Sequence, residues 1–103
     1  MKAERDYQPD VKEKLLELFP GCVILKNDSS YIQGIPDLSI FYKDKWAMLE
    51  VKKTKPSVKD FRPNQEHYLQ KLDTMSFARV IFPENMDQVF KDLVRFFKGG
   101  EKE

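Results

Sequence analysis

Apolar positions recur with two different periods along the chain, and the changes of period mark its elements. Over residues 10–19, Val11, Leu15, Leu18 and Phe19 fall at helical spacing, with Pro9 ahead and Pro20-Gly21 behind as a stop. Residues 22–25 are a short apolar run of strand type, followed by a polar loop over 26–34. Two further strand-type runs, 38–42 and 46–51, flank Lys43-Asp44-Lys45, a separation that suits a hairpin turn. Residues 54–62 carry Pro56 and mixed charge and read as a loop. Pro63 suits a first helical turn, and Tyr68, Leu69, Leu72 and Met75 follow at helical spacing. Residues 77–82 predict a fourth strand, ended by Pro83. From Glu84 onward, Met86, Val89, Phe90, Leu93, Val94 and Phe97 form one helical stripe.

The expected order is therefore α-β-β-β-α-β-α. Three successive strands, a helix and a crossover strand imply a mixed sheet with helices on its faces, an α/β arrangement. A chain of 103 residues supports one core, so residues 1–98 are read as a single domain and 99–103 as a fraying tail. The first ten residues lack an apolar signal region and no run approaches membrane-spanning length, so an intracellular, cytoplasmic chain with no membrane partner is expected. The single cysteine, Cys22, excludes an internal disulfide and a thiolate zinc cluster, and its place in an apolar run predicts a buried thiol. A net charge of +1 argues for no partner. Its distribution says more: between residues 43 and 62 there are seven basic side chains against three acidic ones, an electrostatic footprint suited to phosphates.

The ends of the hairpin carry the candidate chemistry. With the turn centred between Lys43 and Asp44, Leu38 faces Leu49, Ser39 faces Met48, and Asp37 faces Glu50; a three-residue turn would slide this by half a step. Directly opposed residues have Cβ atoms about 4.5–5.5 Å apart, and like charges so placed repel. A divalent cation between the two carboxylates offsets that repulsion, and hard oxygen ligands favour Mg²⁺ or Mn²⁺. Side chains two apart on a strand share a face, so Lys52 joins Glu50 while Val51 turns away, its carbonyl remaining a further candidate ligand. An ammonium there can orient an attacking water and offset charge on a phosphate in its transition state. The plainer reading is an acid at a strand start beside a surface Glu-x-Lys ion pair.

Pro36-Asp37 followed by Glu50-Val51-Lys52 resembles the PD-(D/E)XK nuclease signature, and the expected element order resembles that superfamily's αβββαβ core. Gly34-Ile35-Pro36-Asp37, Leu49-Glu50-Val51-Lys52 and Arg62-Pro63-Asn64-Gln65 look most similar to the small VRR-NUC and Holliday-junction-resolvase branch, stand-alone phage-type enzymes included. The resemblance spans residues 10–97. It implies a restriction-endonuclease-like core with an added C-terminal helix. Asp37 and Glu50 would be metal ligands aided by the Val51 carbonyl, Lys52 would position or activate the water, and Gln65 would support the site. It also implies Mg²⁺-dependent hydrolysis of DNA phosphodiesters, with Mn²⁺ substituting, a 5′-phosphate product, no small-molecule cofactor, and a homodimer acting on branched DNA. Many members carry a glutamate on the first helix; here Asp10, Glu13 and Glu17 share a helical face and any of them could fill that role, with Glu13 the chosen candidate.

For DNA contacts, Lys26, Ser29 and Ser30 lie on the loop leading to Asp37, and Lys53, Lys55, Lys59 and Arg62 leave the Glu50 end on the other side. His67, two residues after Gln65 on a helix, is expected at the rim. Phe90, Phe96 and Phe97 are expected in the core or an interface, and Trp46, at a strand start, is a candidate for a dimer seam. Three alternatives are weighed: a nicking or end-processing nuclease without junction preference, a catalytically silent nucleic-acid-binding domain of the same fold, and a small structural partner that associates through its C-terminal helix, which leaves the acid-acid-lysine cluster without purpose.

Overall fold

Short apolar runs build the sheet, and stretches of 3.6-residue periodicity cover it. In the computed structural model, which describes residues 7–99, the order is α1 (Gln8–Leu18), β1 (Val23–Lys26), β2 (Leu38–Tyr42), β3 (Lys45–Val51), α2 (Gln65–Met75), β4 (Ala78–Ile81) and α3 (Met86–Lys98). Short 3₁₀ turns occupy Val58–Asp60 and Pro83–Asn85. The tail residues 100–103 lie outside the described residues. Among the described residues, no helix is long and apolar enough to cross a membrane.

The four strands form one mixed sheet in the order β1-β2-β3-β4. β1 and β3 both run antiparallel to β2, and β4 lies parallel to β3. The parallel step is made through α2, as a crossover requires. Lys43 and Asp44 alone make the β2–β3 turn, and Lys43 takes the left-handed conformation at φ 58°. The expected two-residue register is observed: Leu38 pairs with Leu49 and Ser39 with Met48.

The period-2 rule assigns the two faces. Leu38, Ile40 and Tyr42 of β2, Ala47 and Leu49 of β3, and Ile81 of β4 point into one core with Val11, Leu15 and Phe19 from the α1 end. Val89, Phe90, Leu93 and Phe97 of α3 close the same layer. Phe19, Tyr42 and Phe97 meet as an aromatic trio, with ring centroids 5.0–5.5 Å apart. Cys22 is buried here, and burial pushes its thiol pKa up, which makes it a poor nucleophile.

The opposite face is only half covered. α2 lies against β4 and β3, with Gln65 reaching Glu50 and the Asp73 carboxylate accepting from the Ala78 N–H. Beyond it the sheet is open. Val23 and Leu25 of β1 are half exposed, as is Phe41 of β2, although an apolar run at 22–25 reads as core. Met75 is also exposed, because α2 ends beside Trp46 instead of crossing the sheet; the Ser76 hydroxyl donates to the Trp46 carbonyl at that end.

Candidate metal and catalytic site

The hairpin register, carried one residue past β2, brings Asp37 across from Glu50. Two hydrogen bonds tie them. The Asp37 N–H donates to Glu50 Oε1 at 3.2 Å, and the Val51 N–H donates to Asp37 Oδ2 at 2.9 Å. Glu50 is only 5% exposed, deep for a carboxylate.

Its second oxygen is held from α2. The Gln65 amide Nε2 donates to Glu50 Oε2 at 2.8 Å, while Gln65 Oε1 accepts from the Arg62 N–H at 2.9 Å and from Lys52 Nζ at 3.4 Å. Gln65 is itself buried, and its amide bridges the two sides of the site. Lys52 Nζ stands 3.5 Å from Glu50 Oε2, donates to the Asp60 carbonyl at 3.2 Å, and lies 5.6 Å from the centre of the Phe61 ring. The Asp60 carboxylate in turn accepts from the Ser57 N–H at 2.7 Å, pinning the loop that carries these groups. Asp37, Glu50, Lys52 and Gln65 thus form one connected cluster at the rim of the sheet.

The electrostatics of the cluster are unbalanced. Burial first, and then the neighbouring Asp37 charge, raise the Glu50 pKa above its ordinary 4.5, against the opposing pull of Lys52 and of the Gln65 hydrogen bond. One ammonium and one amide do not neutralise the pair. A cation close to both carboxylates would, and this demand for positive charge is what a divalent-ion site presents. Mg²⁺ is bound through one or two carboxylates together with substrate phosphates and waters, and Asp37 and Glu50 are the side chains here that could hold one.

The expected first-helix acid does not join them. Glu13 is exposed on α1, and among the described residues no three His, Cys, Asp or Glu side chains gather where they could share an ion. α1 packs by Val11 and Leu15 against the sheet face opposite Glu50, which is why its outer acids stay apart.

Two supports had no structural role assigned to them from the sequence. Asn27, the first residue after β1, donates from Nδ2 to the Pro36 carbonyl at 2.8 Å and accepts from the Ser39 hydroxyl at 3.0 Å. Its N–H donates to the Asp37 carbonyl at 2.7 Å, so one asparagine fixes the backbone on which Asp37 stands. The other support is Gly34. It adopts φ +92°, and a Cβ there would lie 2.7 Å from both the carbonyl carbon and the Cβ of Asn64. Asn64 takes the left-handed conformation itself, at φ 71°, immediately before Gln65. The loop before Asp37 therefore touches the N-terminus of α2 through a contact only glycine allows.

The residues expected to contact DNA are exposed on the chain segments that lead to Asp37 and away from Lys52. Lys26, Ser29 and Ser30 are exposed on the Asp37 side; Lys26 Nζ donates to Gln8 Oε1 at 3.4 Å, and the Ser30 hydroxyl donates to Asp28 Oδ1 at 2.6 Å. Lys53, Lys55, Lys59 and Arg62 are exposed along the segment between β3 and α2. A polar concavity of about 340 Å³, lined by Val51, Lys52, Lys53, Thr54, Pro56 and Asp60, opens beside Lys52. His67 is exposed at the rim, its ring edge-on to Tyr68.

Comparison with protein-family models, with curated proteins and with solved structures returns no match to this chain.

Proposed function

We propose that the chain is a Mg²⁺-dependent DNA endonuclease of the PD-(D/E)XK type, with a restriction-endonuclease-like core. The observation that carries this reading is the convergence of Asp37, Glu50, Lys52 and Gln65 in one hydrogen-bonded cluster, in which the Glu50 carboxyl is raised by burial and by Asp37. Asp37, Glu50 and the Val51 carbonyl would hold Mg²⁺, with Mn²⁺ able to substitute. When bound, the ion supplies Lewis-acid polarisation of the scissile phosphodiester.

The chain's own residues do the rest. The Lys52 ammonium orients the attacking water and offsets charge that develops on the phosphate, and its contacts with Asp60, Gln65 and Phe61 hold it ready for that task. Gln65 fixes the rotamers of Glu50 and Lys52 at once. Lys53, Lys55, Lys59 and Arg62 track the DNA backbone on one side, with Lys26, Ser29 and Ser30 on the other. The substrate is branched DNA, and cutting both strands needs two copies of a chain that carries one such cluster. No small-molecule cofactor enters.

Cleavage of four-way junctions, flaps and linear duplex, compared at equal Mg²⁺, at equal Mn²⁺ and in chelator, tests the proposal. Metal-dependent cutting favouring junctions, with 5′-phosphate ends, is expected. Equal cutting of linear duplex would indicate a nicking or end-processing enzyme. Salt-sensitive binding with no cutting under any metal would make the chain a silent DNA-binding domain and end the proposal.

A further inference from the structure

Met48 and Glu50 share one face of β3, with Lys52 next in line. At ~3.4 Å per residue, each step of two is about 6.8 Å. A concavity adjoins each neighbour of Glu50. The one beside Lys52 is polar and about 340 Å³. The one beside Met48 is about 430 Å³, walled by Tyr31, Ile32, Ile35 and Met48 and completed by Asn27 and Asp28. Its two polar members are already engaged. The Asn27 side chain bridges the Pro36 carbonyl and the Ser39 hydroxyl, and Asp28 Oδ1 accepts from the N–H and the hydroxyl of Ser30. The remaining walls are apolar, and Tyr31 is 84% exposed.

We propose that the concavity beside Met48 takes one unpaired nucleobase of the DNA, stacked on Tyr31, next to the phosphate held at the acid cluster. This rests on the nuclease reading and names the feature of the substrate that the site selects. The walls suit a base: Tyr31 supplies an aromatic ring, and Ile32, Ile35 and Met48 an apolar bed, the surroundings an extruded base meets. Hydrogen bonds from the Ser30 hydroxyl and N–H hold the Asp28 carboxyl below its ordinary 3.8, so it stays ionised and disfavours a phosphate in the same space. The position suits a base as well. Ile35 stands two residues before Asp37, and the Asn27 N–H donates to the Asp37 carbonyl, so wall and cluster share one stretch of backbone. An apolar protein segment would meet the same walls, but a nucleotide chain also joins a flat ring to a phosphate within this reach. An already single-stranded base costs least to unstack, so the concavity would favour flaps and open branch points over linear duplex.

The test titrates the full chain, in chelator, into a duplex carrying 2-aminopurine as a single-nucleotide flap and into a matched duplex with that base paired. Wild type is expected to quench the unpaired probe and to bind it more tightly than the paired one. Tyr31→Ala should weaken binding of the unpaired probe about 5- to 150-fold, the range for one lost base–aromatic stack. Tyr31→Phe should retain that binding, and neither change should alter binding of the paired probe. Circular dichroism checks that each variant is folded. Ile32→Asp, which charges the wall, should also lose the preference, whereas Phe41→Ala, exposed near the hairpin end of β2, should keep it. Equal affinity for the two probes would overturn the proposal in favour of an apolar protein segment, as would Tyr31→Ala binding like wild type. Metal-dependent cutting alongside either result would retire the base site and keep the nuclease. A Tyr31-dependent grip on the unpaired base, with no cutting in Mg²⁺ or Mn²⁺, would reject the nuclease reading and leave the base site standing.

Discussion

Glu50 is where burial, a second carboxylate and an ammonium act on a single group. Because its folded pKa is raised, the native state keeps this proton to higher pH than the unfolded chain does. The native state then binds more protons between the unfolded and folded values, so stability falls as pH rises through that window and stays reduced above it. Glu50→Gln removes the ionised group. In chelator, the variant should melt above wild type at pH 7.5, with the gap closing below the carboxylate range. Calorimetric melting at both pH values checks this, and equal melting at pH 7.5 would contradict it. Lys52→Ala should reduce cleavage by at least about 10²-fold, the scale seen when one preorganised charge-stabilising group is lost, and should lower the melting temperature at pH 7.5, because Glu50 and Asp37 lose the ammonium beside them. Single-turnover cleavage on a junction measures it. These residues were legible because strand periodicity and turn length place Asp37, Glu50 and Lys52 together. Asn27 was not, since an asparagine in a polar loop has no period that shows which backbone it will bridge.

Among the elements, the hairpin was the easiest to read. Its apolar runs are bounded by two polar turn residues, and the register they imply matches the observed pairs Leu38–Leu49 and Ser39–Met48. The helices were found within about two residues of their ends, where boundaries fray. What could not be read was which apolar faces remain uncovered: β1 and the end of α2 have core-like patterns, and only the length and placement of α2 leave Val23, Leu25 and Met75 open. The loop before Asp37 makes its own prediction. Gly34→Ala forces a side chain against Asn64 in a backbone region alanine resists, so it should destabilise the fold by about 1–3 kcal/mol. It should also lower cleavage, because Asn64 leads directly into Gln65. Chemical denaturation with parallel cleavage rates tests both effects, and a neutral substitution would show that the contact yields freely.

At the scale of the whole molecule, a near-neutral chain collects its positive charge beside the acid cluster, on the segment from Lys53 to Arg62. Each phosphate contact contributes about 0.9 to the slope of log binding constant against log salt. Lys55→Ala combined with Lys59→Ala should therefore weaken DNA binding and flatten that slope by about 2. Fluorescence anisotropy at several salt concentrations with an inactive variant measures it, and an unchanged slope would move the DNA elsewhere. The covered sheet face, by contrast, serves stability alone: its side chains are apolar and sealed by α1 and α3. Function, in this account, belongs to the other face and its rim. Its central requirement is that the Asp37–Glu50 pair captures a divalent ion. Titration calorimetry of Mn²⁺ into the full chain and into Asp37→Asn is the most direct measurement. Saturable binding in wild type that the substitution abolishes is the predicted result, and wild-type heats no different from those of the variant would contradict it.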